Sequence, residues 1–160
     1  MTNLALFVCT GNVCRSPMAE ALVRKALPSG SLWRTASAGL CAAAGCPASS
    51  NAVTAATEVG CDLGSHQSRP LSAQLVRESA VIFTMTDAHM RQILDRFPEA
   101  DGKLHLMLAF DSEALPQSSV ADPYCGSLED YRQCRDTMLK AIPGITRFLA
   151  RTSNHQQLNG

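Results

Sequence analysis

Cys9 and Arg15 stand six positions apart, with an apolar run before them and a helix-forming stretch after. Between them lies a short loop, Thr10-Gly11-Asn12-Val13-Cys14, and Ser16-Pro17 then opens the helix. Such a loop can turn the backbone N–H groups of residues 10 to 15 inward around a tetrahedral dianion, with the positive end of the new helix beneath it. Arg15 adds a planar fork that matches two phosphate oxygens. At the base of that field a cysteine sulfur is favoured as thiolate, its nucleophilic form. The arrangement points to phosphate-ester chemistry through a covalent cysteinyl intermediate. Of the seven cysteines, Cys9 alone is followed by arginine at this spacing. A buried strand-end cysteine beside an unrelated surface arginine is the plain alternative. Gly11 and Asn12, suited to unusual backbone angles, weigh against it.

This chemistry needs an acid to protonate the leaving group and later to activate water. Asp62, Asp87, Asp95, Asp111, Asp122 and Asp130 are the candidates. Asp122 is favoured because Pro123 stiffens a loop able to lie over the end of the first strand, but spacing does not separate it from Asp111. A surface Asp-Pro turn would explain the same pair. Ser16 can donate a hydrogen bond to Cys9 or cap the helix. Asn12 tolerates the left-handed conformation and can brace the loop. Cys14 is near enough in the loop to form a reversible disulfide with Cys9, or is a small buried hydrophobe. Tyr124 is placed to stack against a flat phenyl phosphate as a substrate wall. No tight Cys/His cluster calls for a metal, and no cofactor is expected.

The elements that must hold these residues alternate. Leu4 to Cys9 reads as a buried strand and Pro17 to Leu27 as a helix. A strand over Leu32 to Ala38 ends in Gly39, and a helix over Ser50 to Val59 stops at Gly60. A short helix over Pro70 to Ser79 precedes a strand over Ala80 to Met85. Thr86 or Asp87 caps a helix to about Arg96, and Leu104 to Ala109 forms the fourth strand. Ser127 with Asp130 opens a last helix towards Leu149, which Pro143 is expected to kink or divide. The fold expected is α/β, a three-layer sandwich with a four-stranded parallel sheet flanked by helices on both faces. Ligands in such sheets bind beyond the carboxyl ends of the strands, where Cys9 falls.

The 160 residues suit one domain over 1–150, followed by a polar C-terminal tail over 151–160. Fourteen basic residues balance fourteen acidic ones, which gives no support for a nucleic-acid or membrane-surface partner. No apolar run reaches membrane-span length, and no signal peptide is expected. An odd number of cysteines beside a loop that needs a free thiolate argues for a reducing compartment, by default the cytoplasm.

The string Cys9-Thr-Gly-Asn-Val-Cys14-Arg15-Ser16-Pro17-Met18-Ala-Glu20 resembles the low-molecular-weight protein-tyrosine phosphatases of bacterial type, near their protein-arginine phosphatase branch. Ser37-Ala38-Gly39, Asp62-Leu63 to His66, Arg69-Pro70-Leu71 and Asp122-Pro123-Tyr124 extend the likeness along nearly the whole chain. The resemblance implies Cys9 as nucleophile, Arg15 as its catalytic partner and Asp122 as the acid. It also implies a phosphate-binding loop of Thr10, Gly11, Asn12, Val13, Cys14 and Ser16, with His66 as the partner of Asn12. A phosphorylated protein is then the substrate, and inorganic phosphate or another oxyanion would occupy the loop. Two departures bear on specificity. The Leu40–Pro47 loop lacks the aromatic of many animal members. Position 13 is Val, where tyrosine-directed members often have Ile and the arginine branch has Thr. Met85-Thr86 and Gly126-Ser127 look more like the arginine branch. Phosphotyrosine stands first and phosphoarginine second. An arsenate reductase would need further cysteines near residues 80 to 90, where the chain has none. A non-catalytic phosphate-binding module would have no use for an intact Cys9, Arg15 and Asp122.

Overall fold

In the computed structural model, which describes residues 2–158 and the side chains of residues 2–153, the first strand runs through the middle of the sheet. This strand, β1 (Asn3–Cys9), pairs in parallel with β2 (Trp33–Gly39) on one side and β3 (Ser79–Thr84) on the other. β4 (Leu104–Leu106) adds to β3, so the order is β2-β1-β3-β4, all parallel. A central strand covered on both faces is apolar throughout, and β1 is buried from Leu4 to Cys9. Its side chains alternate between two layers. Leu4, Leu6 and Val8 pack with Leu75 and Val76 of α3 (Ala73–Glu78) and Ile93 of α4 (Asp87–Arg96). Ala5, Phe7 and Cys9 face the opposite layer of α1 (Arg15–Ala26), α2 (Ser50–Thr57) and α5 (Leu128–Leu158). Phe7 stacks on Phe83 with ring centroids 5.1 Å apart, and burying one such side chain contributes about 1.5–3 kcal/mol. This is the expected three-layer α/β architecture, and its alternation puts the Cys9 sulfur on the α1/α5 side.

Boundaries shift where local contacts decide them. α1 begins at Arg15, two residues before Pro17, because first-turn N–H groups have no intrahelical partner for a proline to forfeit. α3 begins at Ala73 rather than Pro70. Residues 69–71 are held extended against β2 by Gly39 N–H donating to Arg69 O and Leu71 N–H donating to Gly39 O (2.9 and 2.8 Å). Ser72 caps that helix, and Thr86 rather than Asp87 caps α4 by accepting from His89 N–H at 3.1 Å. The fourth strand stops at Leu106, and a 3-10 turn over Met107–Phe110 replaces its expected second half. That turn buries Met107 and Leu108 consecutively and brings Phe110 edge-on to Phe83 at 5.4 Å, which an alternating strand would not do.

Pro143 neither divides nor ends the last helix. It lies on the exposed side of α5, where the carbonyl it leaves without an N–H partner can meet water. Residues 151–158, expected as a polar tail, continue α5; residues 159 and 160 of that tail lie outside the described residues. The Trp33 indole N–H reaches Leu149 O at 2.9 Å and Ser153 Oγ at 2.7 Å, which ties these turns to the start of β2. Among the described residues no helix is long and apolar enough to cross a membrane.

Gly144 supplies a stability test. A helix-interior glycine replaced by alanine ordinarily gains about 1 kcal/mol. Here the new Cβ would overlap the Phe110 carbonyl oxygen and sit 3.0 Å from the Phe110 Cβ. Gly144→Ala is therefore expected to destabilise, by about 1–3 kcal/mol, in a urea titration. An unchanged or raised midpoint would contradict this packing.

Candidate active site

The loop after β1 is shaped by what it touches. The strand register sets Cys9 opposite Gly39, and Leu40 N–H and Cys41 N–H donate to Cys9 O and Thr10 O, both at 2.9 Å. A Cβ on Gly39 would lie 2.5 Å from Thr10 O and 2.8 Å from the Ala42 Cβ, so only glycine lets the end of β2 approach the loop this closely. Asn12 carries the left-handed turn at φ 57°. Gly11, expected to share that role, is not in the left-handed region. A side-chain amide stabilises the Asn12 conformation because all its polar atoms have partners. Its Oδ1 accepts from Arg69 N–H at 2.9 Å, and its Nδ2 donates to Ser16 Oγ at 2.8 Å and Ser37 Oγ at 3.0 Å. The Asn12 carbonyl meets His66 Nε2 at 2.7 Å, the pairing the resemblance implied.

These bonds orient the protons around the sulfur. Ser37 donates to Glu20 Oε2 at 2.7 Å and accepts from Asn12. Ser16 accepts from Asn12, so its one hydrogen faces Cys9 Sγ, 2.9 Å away, and the more distant Ala38 O at 3.4 Å. The Asn12 N–H also points at Sγ, at 3.3 Å. Two donors thus converge on the sulfur of Cys9, a residue that is 2 % exposed, at the floor of a cavity. Such donors stabilise a thiolate. Ser16 does not cap the helix; the N-cap position belongs to Cys14, whose side chain makes no cap bond.

Thr10, Gly11, Asn12, Val13, Cys14 and Arg15 form the wall of that cavity, and Asp122 and Tyr124 complete its rim. Arg15 is buried, with one guanidinium nitrogen donating to Val120 O at 3.1 Å and the other 3.3 Å from Asp122 Oδ2. Val120 is fixed in turn by its N–H bond to Met85 O at 2.9 Å, just past β3. This anchor carries the Asp122 loop over the carboxyl ends of the strands. Asp122 Oδ1 accepts from Tyr124 N–H at 3.1 Å, a local turn that leaves the Tyr124 ring exposed at the mouth. Asp111, the acid that spacing alone left in contention, instead caps its own turn through Glu113 N–H at 2.9 Å. Asp87 pairs with Arg91, and Asp130 with Ser127.

The Cys14 thiol turns away from Cys9, to Ser49 Oγ at 3.0 Å and the Tyr131 hydroxyl at 3.2 Å. Burial raises its pKa, and burial likewise pushes that of Tyr131 up to about 12. A Cys9–Cys14 bridge would therefore have to break the partners of both sulfurs. Ser49, Tyr131, Glu20, Ser37, Arg69 and His89 are site neighbours to which the sequence reading gave no role. Glu20 carried a signal of spacing, four residues after Ser16 on the same face of α1, and Ser37 and Arg69 stand in strings that carry the resemblance.

His89 is buried with Nε2 2.9 Å from Thr10 Oγ1. Burial, aided by the Arg15 charge, lowers its pKa from 6.5 to about 4. Between those values the unfolded chain binds the proton that the folded chain refuses. Stability is thus full above pH 6.5 and declines as pH falls towards 4, by up to ~1.4 kcal/mol per pH unit. Thermal midpoints recorded from pH 7 to 4.5 should fall faster for the wild type than for His89→Gln; parallel declines would contradict a buried neutral imidazole.

Residues 5–156 match the family described as low molecular weight phosphotyrosine protein phosphatase. A protein-arginine-phosphatase of Geobacillus stearothermophilus is 40% identical over 145 residues, 90% of this chain and 94% of that protein. The low molecular weight protein-tyrosine-phosphatase Wzb of Salmonella typhimurium is 41% identical over 124 residues, 78% of each chain. Among solved structures, the YwlE arginine phosphatase from Geobacillus stearothermophilus superposes with a TM-score of 0.85 at 36% identity, covering 96% of both chains.

Proposed function

The chain belongs to the low-molecular-weight phosphotyrosine protein phosphatase family, a family of cysteine-dependent hydrolases, and on that premise we propose that it hydrolyses phosphotyrosine in proteins through a phosphocysteine on Cys9. The observation that carries the assignment of roles is the cavity floor: one sulfur, met by a hydroxyl and an amide donor, with Arg15 in the wall above it and Asp122 at the rim.

In the first step the Cys9 thiolate attacks phosphorus in line and the P–O bond to the tyrosine ring breaks. Asp122 gives its proton to the departing phenolate oxygen. Arg15 and the loop amides hold the equatorial oxygens where charge spreads in the transition state. In the second step Asp122, now a carboxylate, takes a proton from water as its oxygen attacks the phosphocysteine. The S–P bond breaks, inorganic phosphate leaves, and Ser16 again donates to the sulfur. Asn12 acts through the loop, held by Arg69, Ser37 and His66.

Val13 and Tyr124 support the phosphotyrosine reading. Val13 brings no hydrogen-bonding side chain to the wall, and the exposed Tyr124 ring offers a flat face at the mouth. A specific observation favours phosphoarginine as a second reading: the relative at 40% identity is named a protein-arginine-phosphatase. Phosphate release from matched phosphotyrosine and phosphoarginine peptides, with Cys9→Ser in parallel, decides between them. Faster Cys9-dependent release from phosphotyrosine supports the first reading; faster release from phosphoarginine makes Val13 a selector within the arginine branch. No Cys9-dependent release from either would overturn both. All seven cysteines stand as free thiols, and we place the enzyme in a reducing compartment, the cytoplasm.

A further inference from the structure

His89 has no part in the steps just described, yet its ring is buried against the catalytic loop. It sits in the first turn of α4, where Thr86 Oγ1 accepts its backbone N–H and fixes the residue in place. Its Nε2 contacts Thr10 Oγ1 at 2.9 Å, whereas Nδ1 is buried without a partner. A neutral imidazole carries one N–H. With that hydrogen on Nδ1, a buried donor would go unmet and the Thr10 hydrogen would be turned onto the ring. With it on Nε2, the ring donates to Thr10 Oγ1 and only a lone pair is left bare. Buried N–H groups without acceptors are rarer than under-satisfied acceptors, so the second arrangement prevails. Thr10 lines the cavity together with Cys9, Arg15 and Asp122. Its hydroxyl, with the oxygen already accepting from His89, has its hydrogen left to give. The acceptor that this cavity is built to hold is an oxyanion.

We propose that His89 is a positioning residue that holds the Thr10 hydroxyl so that it donates to a non-bridging oxygen of the transferring phosphoryl group. The inference rests on the phosphatase reading of the site and adds one side-chain donor to the backbone amides and Arg15. No bond to His89 forms or breaks, and its proton stays on Nε2 throughout. The pair also gives α4, which lies in the other layer of the sandwich, a direct hold on the residue next to the nucleophile.

The test is hydrolysis of para-nitrophenyl phosphate by the wild type, Cys9→Ser, Thr10→Val, His89→Leu, His89→Gln and the Thr10→Val/His89→Leu double variant. The affinity of orthovanadate, which mimics the five-coordinate phosphorus, is measured for each. Thr10→Val and His89→Leu should each lower kcat about tenfold with KM changed less than about twofold. The double variant should also lose about tenfold, not a hundredfold, because both changes remove one interaction. His89→Gln, whose amide nitrogen can reach the Nε2 position, should recover to within about threefold of the wild type. Losses that multiply in the double variant, wild-type activity in Thr10→Val, or a His89→Gln as slow as His89→Leu would each overturn the inference. If His89→Leu fails to fold, Thr10→Val and His89→Gln still decide it. If the wild type releases no phosphate above Cys9→Ser, the phosphatase reading falls instead. Vanadate affinity then tests the pair alone: equal weakening in Thr10→Val and His89→Leu upholds it, and no weakening overturns it.

Discussion

Cys9→Ser is expected to lower phosphate release by about 10⁴-fold or more while leaving the fold intact. The serine hydroxyl is a far weaker nucleophile than a thiolate, because its proton is not lost at neutral pH and the Asp122 carboxyl that lines the cavity must carry its own proton for the leaving group in that step. Ser16 and the Asn12 amide point donors at position 9, not a base. The same two donors would accept the smaller oxygen, so the loop has no reason to collapse. An unchanged thermal midpoint together with retained inorganic-phosphate affinity would show the cup intact and the chemistry gone. Retention of a tenth or more of wild-type release would remove Cys9 from the role of nucleophile and leave the oxyanion cup as a binding device for some other attack.

The second large effect belongs to Asp122. Replacement by asparagine keeps the shape and one carbonyl oxygen for the Tyr124 amide, but supplies no transferable proton. Loss of a general acid costs about 10²–10⁴-fold, and the cost depends on the leaving group. Asp122→Asn should therefore slow hydrolysis of a plain phenyl phosphate far more than that of para-nitrophenyl phosphate, whose phenolate departs readily without a proton. The same substitution removes the carboxylate 3.3 Å from Arg15, so kcat must be separated from KM across the series. A uniform loss over all leaving groups would point to a disturbed Arg15 and not to a missing acid.

How much of this was legible in the sequence follows from how local each feature is. Cys9, the loop and Arg15 are contiguous, and the chemistry of a phosphate cup is written in seven adjacent positions. The strands were legible for the same reason, since a buried parallel strand is an apolar run. Asp122 was legible as chemistry but not as geometry. Its position over the strand ends depends on bonds between residues far apart in the chain, Val120 N–H to Met85 O and Arg15 to both Val120 O and Asp122. The Cys14–Tyr131 contact spans 117 positions and His89–Thr10 spans 79, and no periodicity records such meetings. Where local rules were applied at single residues, packing overrode them. Asn12 and not Gly11 took the left-handed turn, because only a side-chain amide joins Ser16, Ser37 and the Arg69 backbone at once. Pro143, expected to kink or divide the last helix, does not divide it, because on the exposed side of α5 its missing donor does little harm.

The chain has a single tryptophan, and the indole bond described above places it at the far end of the molecule from the nucleophile. Trp33 and Gly39 bound the seven residues of β2, so roughly 20 Å of strand separates the ring from the catalytic loop. Its fluorescence therefore reports the seating of the final turns of α5 on the sheet and is blind to events at Cys9. Light emission and catalysis form a pair of independent gauges, one at each pole of the sheet. Their loss at one denaturant concentration would mark the domain as a single cooperative unit, and their separation would show which pole loosens first.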